Sequence, residues 1–171
     1  MTALEDLTND LAVLRRKTFD RAVKLLAAKP RSVAELRERL LRGKNTNVEV
    51  VETVIARLRE YGYLNDEHFA FSYASYKVKQ RPLGRRRLQR DLTLKKVENK
   101  VAEEALNLVF TETPEADLID LAIQKRIRLR GRPTTRIEAK KLFDHLLRQG
   151  FQFELVSERV RALATNYADE E

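Results

Sequence analysis

Ser32-Val33-Ala34-Glu35-Leu36-Arg37-Glu38-Arg39-Leu40-Leu41-Arg42-Gly43 reads as one complete helix with both ends marked. Ser32 and Glu35 have the spacing of a capping box: the hydroxyl accepts from a first-turn amide and the carboxylate reaches back to the cap amide. Leu36, Leu40 and Leu41 recur at helical spacing. Gly43 stands where that period breaks, the place for a residue with positive φ.

The same grammar extends outward. Upstream, Ala22, Leu25 and Leu26 share a helical face; downstream, Thr46 with Glu49 predicts a second capping box. Val51, Ile55 and Leu58 then lead to a stop at Gly62. A new helix follows with Phe69, Tyr73 and Tyr76 in register, a stripe read as core rather than as a stacking surface. Thr113-Pro114-Glu115 gives another start, a cap followed by proline at the first helical position. Thr135 with Glu138 gives a third box, and Gly150 a further stop. Phe151 and Phe153, flanking that stop, are expected in the interior.

These segments repeat. Leu36/Leu40, Leu88/Leu92 and Leu142/Leu146 are equivalent second helices. Val51/Ile55/Leu58, Val97/Val101/Ala105 and Val156/Val160/Leu163 are equivalent third helices. A period of about 45–50 residues implies stacked supersecondary units that bury their apolar faces against neighbours. The expected fold is all-α: three tandem three-helix repeats in an elongated, curved molecule. Residues 1–18 form an N-terminal extension, 19–64 the first repeat, 65–113 the second, and 114–171 the third with the acidic tail Asp169-Glu170-Glu171.

Composition agrees with this reading. Hydrophobic residues make up 43% of the 171 positions, enough to order a core, and only 5 Gly and 4 Pro interrupt the chain. The absence of Cys excludes disulfides and thiolate chemistry. No apolar run approaches the ~18 residues of a membrane span, and the N-terminus lacks a signal-peptide pattern. A cytoplasmic protein without membrane contact is expected.

The net charge of +8 points to a polyanionic partner. Its distribution is sharper than its total. Lys77, Lys79, Arg81, Arg85, Arg86, Arg87, Arg90, Lys95 and Lys96 fall in one stretch with Asp91 as the only acid. Lys125, Arg126, Arg128, Arg130, Arg132, Arg136, Lys140 and Lys141 fall in another, opposed by Glu138. Each stretch covers the end of a first helix, a Gly/Pro loop and the start of a second helix. Local acids that would pair with these bases at i,i+4 are scarce, so an anionic partner is expected to compensate them, foremost at 77–96.

Catalysis finds little footing. His68 and His145 lie in different repeats, and Asp144 beside His145 points away on a helix. Glu103-Glu104 and Asp117/Asp120 sit among polar residues, unlike acids converging in a buried metal pocket. No phosphate-cradling glycine motif is present. No catalytic residue, cofactor or metal is expected.

Four segments resemble the RecX regulatory proteins. Leu58-Arg59-Glu60-Tyr61-Gly62-Tyr63-Leu64-Asn65-Asp66-Glu67-His68-Phe69-Ala70 is similar to that family's L-x-x-x-G-Y-L-[DN]-D-x-x-[FY]-A. Gly84 to Leu92 looks like its G-x-x-[KR]-[IL]-x-x-[ED]-L, and Lys141 to Phe151 like K-L-x-x-x-L-x-x-[RK]-G-F. Ser32-Val33-Ala34-Glu35-Leu36 fits as well, so the likeness runs over about 19–164 in order. One departure is Lys95-Lys96-Val97, where the family reads K-G-[VI].

The resemblance implies a non-enzymatic regulator acting in DNA repair, recombination and the SOS response. It would lodge as a monomer in the groove of a RecA-type recombinase filament on DNA, restraining filament extension, ATP hydrolysis and strand exchange. Single- or double-stranded DNA would be met directly or through the filament. The alternative is a general nucleic-acid-binding helical repeat that acts without the recombinase.

Overall fold

The computed structural model describes residues 3–44 and 46–164, all helix and connecting turns. The acidic tail lies outside the described residues. Nine helices occur among those described: α1 (Ala3–Ala28), α2 (Val33–Leu41), α3 (Val48–Glu60), α4 (Asp66–Gln80), α5 (Arg85–Leu94), α6 (Asn99–Glu112), α7 (Glu115–Arg130), α8 (Arg136–Arg148) and α9 (Phe153–Ala164). They fall into two compact units. One comprises Met1–Phe69 with Leu94–Glu98, the other Ala70–Thr93 with Asn99–Glu171. α1 is continuous across residues 18 and 19, where the sequence suggested that an extension meets the first repeat.

In the first unit α1, α2 and α3 pack on one another. Ala22, Leu36, Leu40, Val51, Val54, Ile55, Leu58 and Leu64 form one buried cluster, with Phe19, Leu25, Leu26 and Val33 against it. Each fully buried leucine contributes about 1.5–3 kcal/mol. Ser32 caps α2 as expected, accepting from the Glu35 amide at 3.1 Å. The box is not reciprocal, because the Glu35 carboxylate accepts from Lys95 Nζ instead, at 3.1 Å.

Three expected helix ends differ in detail. α3 begins one residue later than Thr46 predicts, and Asn47 supplies the cap to the Val50 amide at 2.8 Å. Glu49 faces Arg15 at 3.9 Å rather than closing a box. Gly43 is not a positive-φ stop, unlike Gly62, Gly131 and Gly150. Its missing side chain leaves room for Arg21, whose guanidinium donates to the Arg39 and Leu40 carbonyls at 3.0 and 3.3 Å. Those are orphan acceptors at the end of α2. Thr113 does not cap α7: its amide donates to Val109 O, continuing the last turn of α6, and Pro114 takes the cap position.

The second unit holds α5 through Thr93, α6 to α9 and α4 from Ala70 onward. α7, α8 and α9 pack together, burying Leu118, Ile119, Ala122, Ile123, Leu142, Leu146, Phe151, Val156 and Val160. On α4 the buried stripe is Phe69, Ala70, Ala74 and Val78, while Tyr76 is exposed, so the aromatic stripe read as core is only partly so. Phe153 is likewise half-exposed, edge-on to Phe143, whereas Phe151 is fully buried.

Each unit contains a joint of the same design. In the first, the start of α2 meets the first turn of α4 and the turn between α5 and α6. The Val33 amide donates to Asp66 Oδ1 at 2.8 Å, and Ser32 Oγ donates to Lys95 O. In the second, the start of α5 meets the first turn of α7 and the turn between α8 and α9. The Arg85 amide donates to Glu115 Oε1 at 2.9 Å, Gly84 N to Gln149 O and Arg86 N to Gly150 O, both at 3.0 Å. In both joints a first-turn acid satisfies an orphan amide at a helix start, while the turn carbonyls take the Ser32 hydroxyl in the first joint and the Gly84 and Arg86 amides in the second. Burial of the two acids raises both carboxyl pKa values from their ordinary values, against the pull of the amides they accept from.

Candidate polyanion-binding surfaces

The two basic stretches meet different fates. Lys95 and Lys96 belong to the first unit, in its joint. Lys95 pairs with Glu35, and Lys96 Nζ lies 2.6 Å from Glu38 Oε2. Glu38 also takes Arg42 at 2.8 Å, and its pKa is lowered by the bonds from Lys96 and then Arg42. Lys96 adopts φ 58°, the left-handed conformation that the missing glycine would have taken. That conformation costs about 1–2 kcal/mol in a residue bearing a Cβ.

Lys77 to Arg90 lie in the second unit. Lys77 and Lys79 end α4, where cations favour the helix dipole. Lys77 Nζ sits 5.4 Å from the Tyr73 ring. Arg81 and Arg86 are exposed, as are Lys79 and Arg90. Arg85 turns onto α6, donating to Asn107 Oδ1 at 2.7 Å and lying 6.0 Å from the Phe110 ring. Arg87 pairs with Asp91 at 3.2 Å. The expectation that this stretch lacks paired acids is therefore corrected at Arg87, Lys95 and Lys96. Two of the three acids involved, Glu35 and Glu38, come from a distant part of the sequence.

The stretch 125–141 is different. Lys125, Arg126, Arg128 and Arg130 lie on the last turns of α7, Arg132 in the connecting loop, and Arg136, Lys140 and Lys141 on α8. All but Arg126 are exposed. Among the described residues none of these eight bases forms an ion pair with an acid. The nearby Glu138 is already engaged: its Oε2 accepts from the Thr134 amide at 2.8 Å and hydroxyl at 3.0 Å, and those bonds lower its pKa. Leu129 and Ile137 stand exposed among the bases.

His145 reports the local field. Its pKa is lowered first by burial and then by the positive charges of Arg126 and Arg148. Among the described residues no group of three or more His, Asp or Glu is placed to hold a metal ion. No helix among the described residues is long and apolar enough to cross a membrane.

The described residues thus form helices and connecting turns, with exposed bases at helix starts and ends. Residues 19–58 match the first three-helix domain of RecX and residues 65–106 the second. The regulatory protein RecX of Prosthecochloris aestuarii is 30% identical over 88% of this chain and 96% of its own length. That of Bacillus subtilis is 30% identical over 83% of this chain, which spans only 53% of that relative. The crystal structure of RecX from Lactobacillus salivarius superposes with a TM-score of 0.79 at 21% identity, covering 90% of this chain and 99% of that one. The chain belongs to the RecX family.

Proposed function

We propose that this chain is a non-enzymatic cytoplasmic regulator that binds RecA-type recombinase filaments on DNA and restrains their extension, ATP hydrolysis and strand exchange. Family membership supports the regulatory role. The observation that carries the electrostatic part is the set of eight bases between Lys125 and Lys141 that have no acid partner among the described residues. Like charges held this close repel one another, and neutralisation by phosphates or an acidic protein surface relieves that cost. Arg81, Arg86 and Arg90 extend the same chemistry on the middle stretch. There α5 opens with three arginines and no acid in its first turn, the end at which the helix dipole disfavours cations.

A strand-exchange or DNA-dependent ATPase assay with a RecA-type recombinase tests the proposal. Inhibition at stoichiometric or lower amounts is expected, and its absence overturns the reading. The second reading, a nucleic-acid-binding protein indifferent to the recombinase, rests on the same exposed bases. It requires equal affinity for bare and recombinase-coated DNA, with a steep fall as salt rises.

A further inference from the structure

The first unit carries an aromatic group that shares no residue with either basic stretch. Phe19 on α1 meets Tyr61, just past α3, edge to face with centroids 6.4 Å apart. Tyr61 meets Tyr63 in the same way at 6.2 Å. Arg57 lies between Phe19 and Tyr61, its guanidinium carbon 5.4 and 5.3 Å from the two ring centres. Its Nε donates to the Tyr61 hydroxyl at 2.9 Å. Tyr61 is nonetheless 50% exposed and Tyr63 67%.

The core does not call for the two tyrosine rings. Leu58 and Leu64 are the buried anchors on either side, at 0% and 3% exposure. The backbone fixes the base of the group, because Gly62 has φ 72° and the Tyr63 amide closes onto Leu58 O at 2.9 Å. Side chains that brace one another in this way have already lost rotamer freedom, so a ligand loses less entropy in ordering them.

The chemistry selects the occupant. A flat exposed ring presents a face to any base, while a guanidinium fixed beside it supplies charge for the adjoining phosphate. Arg59 adds a second exposed cation two positions along, and the chain as a whole carries +8. We propose that Tyr61 and Tyr63, braced by Arg57, form a stacking platform for unpaired bases of single-stranded nucleic acid. This site would act on bases, whereas the basic stretches act on phosphates.

The test measures binding of the full chain to a labelled oligo-dT of about 20 nucleotides, a length covering one or two such sites. An abasic strand of equal length and charge serves as the comparison. The wild-type chain is expected to prefer the oligo-dT. Tyr63→Ala should weaken that binding by about 5- to 150-fold, the range for one lost stack, and leave abasic binding unchanged. Tyr63→Phe should retain the preference. Because Tyr63 is mostly exposed, its truncation leaves the thermal melt in place. If Tyr61→Ala perturbs folding, the two Tyr63 variants decide the matter by themselves.

Equal wild-type affinity for both strands overturns the proposal, as does an unchanged Tyr63→Ala chain. Loss of binding to DNA-free recombinase with intact oligo-dT binding assigns the patch to protein and also overturns it. The regulator reading fails separately, on recombinase ATPase alone.

Discussion

Lys95 and Lys96 hold the first joint together through Glu35 and Glu38, while the bases from Lys125 to Lys141 have no acid partner among the described residues. Both stretches look alike on paper. The difference teaches that local charge density overstates what is available to a partner when acids from elsewhere in the chain fold against it. The second joint shows the alternative way to make the same connection. It uses no lysine latch but close backbone contact, a Cβ on Gly84 falling 2.2 Å from Gly150 C and one on Gly150 falling 2.3 Å from Arg87 N.

The largest expected effect comes from breaking the basic stretch on α7 and α8. Neutralising Arg128, Arg130, Arg132 and Arg136 to Gln should lower the dependence of log affinity on log salt by about 3–4 if each contacts a phosphate. Isothermal titration across salt concentrations measures it, and melting should barely change. The opposite pattern is expected for Lys95→Gln with Lys96→Gln. Stability should fall by roughly 1 kcal/mol, as partly exposed pairs are lost, with little change in salt slope.

Gly150→Ala should cost the second joint about 2–4 kcal/mol, combining overpacking with a left-handed residue that gains a Cβ. Lys96→Gly at the matching turn should change stability by less than about 1 kcal/mol. Its relief of left-handed strain opposes the loss of a weak exposed ion pair. Urea denaturation distinguishes the two, and equal losses would undo the contrast between joints.

The joint acids add a pH signature. Burial raises the pKa of Asp66 and Glu115 above the ordinary 3.8 and 4.5. The folded chain therefore holds those protons more tightly, and stability falls as pH rises through the interval between ordinary and raised values. Asp66→Asn and Glu115→Gln keep an acceptor for the Val33 and Arg85 amides without the buried charge. They should match or exceed wild-type stability at neutral pH and flatten that slope. Asp66→Ala, which orphans the Val33 amide, should cost about 1–3 kcal/mol.

The smallest effect is at His145. Its lowered pKa means that its contribution to stability is complete above the ordinary 6.5 and is lost as pH falls through the lowered value. A bound polyanion would neutralise Arg126 and Arg148 and raise the pKa, visible in proton NMR of a chain with only two histidines.

Much of the fold was legible because its signals are local. Ser32 and Thr135 cap the helices they were expected to cap, and Leu36, Leu40, Leu88, Leu92, Leu142 and Leu146 are all buried. The errors at Thr46, Thr113 and Gly43 are shifts within a turn, set by which neighbour competes for an orphan backbone group. The state of the candidate site was less legible. Lys95 and Glu35 lie 60 positions apart in the sequence, and no periodicity links them. Phe19's place beside Arg57 and Tyr61 is hidden from a sequence reading for the same reason: it exists only once α1 packs on α3.

Central to the proposed function is the engagement of a RecA-type filament by the basic stretch on α7 and α8. The direct measurement is recombinase ATP hydrolysis on single-stranded DNA, titrated with wild-type chain and with the Arg128, Arg130, Arg132, Arg136 to Gln variant. Wild type should inhibit at or below stoichiometry, and the equally stable variant should need at least about tenfold more, as expected when several phosphate contacts are removed. Equal inhibition by the two chains, or none by wild type, would contradict the claim.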